Sequence, residues 1–272
     1  MKKRISTILL ILVFLVGLSL LLYPTISNYW NSRHQSKAIA GYVEEVYNMQ
    51  EEKCRILWND AVAYNEALSK IGNQWTVGDD FRANYRKQLD ISGNGIMGYI
   101  EIPDIGCSLP IYHGTDDSVL QIAVGHLEGT SLPAGGLGSH CVLSGHRGLP
   151  SADLFTDIDK LAPGDVFTLN VLDQTLTYEV FEILTVLPHE LDALKIESDR
   201  DLCTLVTCTP YGINTHRLLV KAQRIENAEE TVLVRVTADA MQIEPIIVAP
   251  VIAVPMLLVL FVILLVQPKK KK

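Results

Sequence analysis

The chain has 272 residues, with 31 acidic and 23 basic side chains, a formal net charge of −8, and 48% hydrophobic residues. That length holds one sizeable domain with accessory segments, at ~100–200 residues per domain. The acidic balance excludes a nucleic-acid partner, because phosphate binding needs a surface of clustered lysine and arginine.

The first element is apolar. Ile5 to Tyr23 carries only Ser6, Thr7, Gly17 and Ser19 as small or polar interruptions, and at ~1.5 Å rise per residue it can cross a hydrocarbon core of ~30 Å. Lys2, Lys3 and Arg4 precede it, which predicts a cytoplasmic N-terminus. A cleaved signal peptide competes with this reading, but no small-x-small cleavage site follows Tyr23, so an uncleaved anchor is expected. From His34 to about Ile71, Ile39, Val43, Val46, Tyr47, Ile56, Leu57, Val62 and Leu68 recur at three- and four-residue steps, predicting a membrane-proximal helical arm. Gln74 to Asn94 loses that period and reads as a long loop containing Trp75, Asp79, Asp80 and Phe81. Ordered loops of this length are uncommon unless they do something.

After Gly95 the texture becomes short strand-like runs broken by turn residues. Met97–Ile102, Ser108–Tyr112, His140–Ser144, Asp165–Val171, Thr175–Leu187, Cys203–Thr207 and Arg217–Arg224 are rich in Val, Ile, Leu, Thr and Tyr. So many short strands predict a mainly β fold, one closed barrel or sandwich. Ser151 to Leu161 reads as a short helix between strands. Ile246 to Val266 is a second apolar stretch without a charged residue, and Lys269 to Lys272 follow it, so both termini are expected in the cytoplasm with the middle outside. The two tails hold seven basic and no acidic residues, leaving 16 basic against 31 acidic side chains, net −15, between the spans.

Five cysteines are an odd number, and no two form a Cys-x-x-Cys spacing. Cys54, Cys107, Cys141 and Cys203 could pair in three ways or stay as buried thiols, the reading favoured here. Cys208 differs because Pro210 and Gly212 stop a strand just beyond it, while a second strand starts near Arg217. Cys203 and Cys141 sit at odd offsets from Cys208 and His146, so each faces the opposite side of its strand. His146, at the end of another strand, can lower the thiol pKa or protonate a departing amine. Arg217 offers a fork of fixed donors for an oxyanion. Among the other histidines, His126 is a candidate cleft-lining residue and His113, His140, His189 and His216 read as structural. No histidine pair has the spacing of a zinc-binding helix motif, and neither metal nor cofactor is expected.

Ser144-Gly-His-Arg-Gly148 and Thr204-Leu-Val-Thr-Cys-Thr-Pro210, with Arg217-Leu-Leu-Val220, resemble the signatures of sortases, Gram-positive transpeptidases. Gly98-Tyr-Ile-Glu-Ile-Pro103, Leu109-Pro-Ile-Tyr-His-Gly114 and Gly125-His-Leu-Glu-Gly-Thr-Ser-Leu-Pro133 extend the likeness from about Gly98 to Arg224. It implies an eight-stranded closed β-barrel, with Cys208 as nucleophile, His146 as acid/base and Arg217 holding the oxyanion and substrate. It also implies protein substrates bearing a C-terminal LPxTG-like sorting signal. The second span makes the chain most similar to class C, the pilus-building sortases, whose acceptor is a pilin lysine. Cell-wall anchoring to a peptidoglycan amine is the alternative, a plain cysteine protease another, and a non-catalytic assembly module a third.

Class C sortases carry a lid with an Asp-Pro-aromatic motif. No proline lies between Pro24 and Pro103 here; Asp80-Phe81 is the nearest match and Trp75 the rival plug. The expected organisation is a cytoplasmic tail (1–4), a transmembrane helix (5–23), a helical arm and lid loop (24–94), the catalytic barrel (95–226), a linker (227–245), a second transmembrane helix (246–266) and a basic cytoplasmic tail (267–272).

Overall fold

The computed structural model describes residues 2–71 and 74–227. The stretch expected as a second span, 246–266, lies outside the described residues. The chain divides into two compact units, and Asn28–Glu229 is the one that carries the barrel.

Helix α1 runs from Lys2 to Asn48, with Pro24 inside it. Among the described residues it supplies the one helix long and apolar enough to cross a membrane, over Val13–Asn48. Helix α2 spans Glu51–Ser69, so the expected arm is two helices broken at Met49 and Gln50. Glu51 and Glu52 sit in the first turn of α2, where the helix dipole favours negative charge. Its buried face, Cys54, Ala61, Tyr64, Asn65 and Leu68, follows the helical period. Gln74 to Asn94 is not one long loop: Asp79–Tyr85 forms helix α3.

The strands are β1 (Ile96–Ile102), β2 (Cys107–His113), β3 (Val124–His126), β4 (Ser139–Ser144), β5 (Val166–Val171), β6 (Gln174–Val186), β7 (Asp201–Thr209) and β8 (His216–Ile225), with a short helix α4 (Asp117–Leu120) before β3. They close into an eight-stranded barrel in the order β1-β2-β3-β4-β7-β8-β6-β5, with β5 returning to β1. The β2–β3 and β4–β7 pairs are parallel and the others antiparallel. Strand β3 escaped the sequence reading because three residues with a central glycine carry no strand pattern. The helix expected over Ser151–Leu161 is reduced to a 3-10 turn at Ile158–Lys160.

Alternation along the strands sorts residues to two faces. Cys141, Leu143, Cys203, Leu205, Leu218 and Val220 belong to the barrel interior. Val142, Val206 and Leu219 form a separate apolar cluster on the outer face, covered by Trp75, Leu127, Leu191 and Leu194. All five cysteines are free thiols, and Cys141 and Cys203 are register partners across the β4–β7 ladder. The arm is bolted to the barrel through polar contacts. The Tyr42 hydroxyl donates to the Met97 carbonyl at 3.0 Å and accepts from the Leu172 N–H at 2.7 Å. The Asn65 amide donates to the Leu132 carbonyl and accepts from the Leu132 N–H.

Candidate active site

Two ladders bring three side chains to one rim of the barrel. In the parallel β4–β7 ladder the last register pair is Ser144 with Val206. Beyond it, the Gly145 N–H donates to the Val206 carbonyl at 3.0 Å and the Thr207 hydroxyl to the Gly145 carbonyl at 2.8 Å. These bonds hold the segment that begins at Gly145 and carries His146 beside the end of β7, where Cys208 lies. On the other side of β7, Cys208 pairs with Arg217 of β8. Neighbouring strands lie ~4.8 Å apart, so Cys208 and Arg217 are neighbours across the sheet, and His146 lies on the strap just past the end of β4. Each is half-buried. Cys208 lies two residues from Val206, and Arg217 two from Leu219, so both fall on the outer face. Cys203 and Cys141 face the interior, as strand parity predicts.

The segments holding these residues are tightly constrained. After β7, Pro210 accepts from the N–H groups of Ile213 and Asn214, closing a turn in which Gly212 and Asn214 take positive φ. The Arg217 guanidinium Nη1 donates to the Asn214 and His216 carbonyls at 3.3 and 3.0 Å. After β4, the strap Gly145–Gly148 is gripped from both sides. A Cβ at Gly145 would stand 2.7 Å from the buried Phe155 ring, and Gly148 takes φ +72° beneath the Tyr211 ring, so glycine is required at both. The Phe155 N–H donates to the His146 carbonyl at 3.1 Å, and the Gly148 N–H to the Thr156 hydroxyl at 3.1 Å. Arg147 ion-pairs with Asp159 and lies over the Tyr211 ring. Phe155, Tyr211 and Thr207 were missed by sequence reasoning; the glycines flanking His146 were the one signal that something packs closely there.

The lid candidates separate. Trp75 joins the outer-face cluster with Val142, Val206 and Leu219, on the side of the sheet that presents Cys208. Beside it, the buried Gln74 side chain donates to the Leu194 carbonyl and accepts from the Ile196 N–H. Phe81 packs on Tyr64 of α2, with ring centroids 4.5 Å apart, and Asp80 is exposed. A cavity of about 340 Å³ beside Trp75 is lined by Gly138, Lys195, Ile196 and Ser198, toward the starts of β4 and β7 and away from Cys208.

His126 does not line a cleft. It is fully buried, in phase with the inward-facing Val124 of β3. Its Nε2 donates to the Ser131 carbonyl at 2.8 Å and its Nδ1 meets the Tyr85 hydroxyl at 3.0 Å, so α3 seals it off. His140 is also buried, bonded to the Lys195 carbonyl and the Thr204 hydroxyl, and burial pushes its pKa down to about 4. Among the described residues no cluster of histidine, cysteine or acidic side chains is arranged to hold a metal.

The sortase domain family profile matches residues 100–225, the barrel almost end to end. Sortase C1 from Streptococcus agalactiae is 49% identical, with a TM-score of 0.69; the match covers 71% of this chain and 100% of that one. Sortase C from Clostridium perfringens, solved with the C-terminal cell wall sorting motif, is 44% identical at a TM-score of 0.61, covering 71% and 100%. Among curated proteins, sortase D of Bacillus subtilis is 29% identical over 131 residues, which span 47% of this chain and 63% of that protein. With the barrel order, the strand-end placement of Cys208 and these matches in agreement, the chain belongs to the sortase family of cysteine transpeptidases and is most like its class C members.

Proposed function

We propose that the chain is a membrane-anchored transpeptidase that joins proteins bearing an LPxTG-like sorting signal to an amine, with Cys208, His146 and Arg217 as its catalytic residues. The observation that carries this reading is the pairing of Cys208 with Arg217 across β7 and β8, at the strand end where Gly145, next to His146, bonds to Val206 and Thr207. The Cys208 sulfur attacks the carbonyl carbon of the Thr-Gly bond, and the oxyanion is held by the Arg217 guanidinium, a donor worth about 3 kcal/mol in comparable sites. The C–N bond breaks as His146 gives its proton to the departing glycine amine. An incoming amine then attacks the thioester carbonyl and loses a proton to His146 as the C–S bond breaks and the Cys208 thiolate leaves. A thioester favours amines over water, which suits cysteine to a ligase.

The acceptor in this reading is a pilin lysine, supported by the likeness to sortases C and to one solved with a sorting motif. The apolar part of α1 and the stretch 246–266 are read as two membrane spans that hold the barrel outside the cell. Sharing a membrane face with the substrate raises their effective concentration. Trp75, docked on the face of Cys208, is the better lid residue than Asp80 or Phe81.

The test is incubation of full-length protein with a pilin-type substrate. Wild type is expected to form covalent ladders and, with hydroxylamine, hydroxamates; Cys208→Ala should form neither. Ladders made by Cys208→Ala would overturn the catalytic reading, and products bearing only water-derived carboxylates would make the chain a protease.

A further inference from the structure

The strap that carries His146 is held from outside the barrel by a helix the sequence separates from it by more than a hundred residues. The Asn28 amide of α1 donates to the Asp153 carboxylate, while its oxygen accepts from the Asp153 N–H at 3.0 Å. One turn further on, Asn31 donates to the Ser151 carbonyl at 2.7 Å. Residues three apart share a helix face, so both amides grip one loop. That loop is short and internally braced: Leu149 bridges Ala152, and the Thr156 N–H donates to the Asp153 carbonyl at 2.7 Å. It also leads straight to the catalytic strap. Two residues beyond Asp153, the Phe155 N–H holds the His146 carbonyl and the Phe155 ring fills the space above Gly145.

We infer that Asn28 and Asn31 are positioning residues for His146, fixing the imidazole against Cys208 through the loop 151–155. This rests on the proposed role of His146. The contacts reach the strap after β4 without touching β7, β8 or the outer face that carries Trp75. Loosening the clamp therefore moves the proton donor relative to the thiol and leaves β7, β8 and the outer face around Cys208 in place. The signature is a loss in kcat with KM unchanged, because the interaction lost is one made in the transition state.

Asn28→Asp sets two carboxylates against each other, and Asn28→Asp with Asp153→Asn restores a donor–acceptor pair with its polarity reversed. Full-length protein in detergent is assayed with a fluorogenic Leu-Pro-X-Thr-Gly peptide and hydroxylamine. The iodoacetamide alkylation rate of Cys208 is followed against pH in parallel. Asn28→Asp is expected to lower kcat about tenfold or more, since small displacements of a catalytic group cost that much, with KM within about twofold. Its alkylation profile should shift, and the double variant should recover both. Asn31→Ala, which removes one hydrogen bond, should show the same pattern at smaller size and carries the test if Asn28→Asp fails to fold. Wild-type kcat in these variants overturns the inference, as does a loss shared equally by KM with an unmoved alkylation profile. His146→Ala separates the two claims: full activity in that variant defeats the catalytic reading itself, whereas an inactive His146→Ala beside a fully active Asn28→Asp defeats only the clamp.

Discussion

Replacing Gly145 by alanine perturbs the strap at its tightest point. The new Cβ would stand 2.7 Å from Phe155 Cγ and Cδ2 and 3.1 Å from its Cβ, where carbon atoms rest at ~3.5–4.0 Å. A separation of roughly 1 Å must be found. Phe155 is fully buried in the barrel core, so its ring cannot swing aside and the backbone next to His146 moves instead. Overpacking of this kind costs about 1–3 kcal/mol, or roughly 2–10 °C in Tm for a domain of this size. A shift of ~1 Å in a reacting group costs up to ~100-fold in rate. Rate should therefore fall much further than stability. The assay is Tm by scanning calorimetry and hydroxamate formation on the same preparation. Gly41→Ala, where nothing lies within 4 Å of the new Cβ, serves as a control expected to be neutral or stabilising by ~1 kcal/mol. Gly145→Ala with wild-type Tm and a rate within about twofold of wild type would refute the strap's tightness as the reason for glycine.

Tyr42→Phe leaves the Leu172 N–H and the Met97 carbonyl without their shared partner in a buried site, and should cost about 1–3 kcal/mol by urea unfolding. Trp75→Ala should speed iodoacetamide alkylation of Cys208 by uncovering the outer face; an unchanged rate would mean Trp75 shields nothing there. His140 titrates at about 4 in the fold because burial disfavours its charge, against ~6.5 unfolded. Between those values the unfolded chain binds more protons, so this contribution is complete above pH ~6.5 and lost as pH falls toward 4. His140→Gln should flatten that part of the stability profile, measured by urea unfolding at pH 7.5 and 4.5. A slope identical to wild type would count against the buried neutral imidazole.

Seven of the eight strands were legible because their runs are rich in Val, Ile, Leu, Thr and Tyr and are punctuated by glycine and proline. Strand β3 and helix α3 were not, since three and seven residues are too few for a period to show. The placement of Cys208 and Arg217 followed from one hairpin of β7 and β8, a local feature. His146 is different: its strap is brought to the end of β7 by a parallel ladder, and parallel register leaves no mark in sequence. Parity still separated Cys203 and Cys141 from the rim, because alternation holds whichever strand lies alongside. His126 misled because a short strand such as β3 does not show in sequence which face its last residue takes, and β3 turns it inward under Tyr85. The grip of Asn28 on Asp153 joins positions 125 residues apart, and two polar side chains at that separation announce nothing about each other.

In the proposed mechanism the parallel pairing of β4 with β7 also determines when reactivity arises. Thr207 and Gly145, the neighbours that align the two strand ends, are 62 residues apart, and strands β5 and β6 intervene. Contacts of such separation form slowly, because a long loop must close before they repay its entropy. A chain still unfolded has a thiol and an imidazole but no pairing between them. In the proposed mechanism barrel closure thus doubles as a maturation step: the Cys208 thiol meets His146 only once β7 has been made and docked on β4.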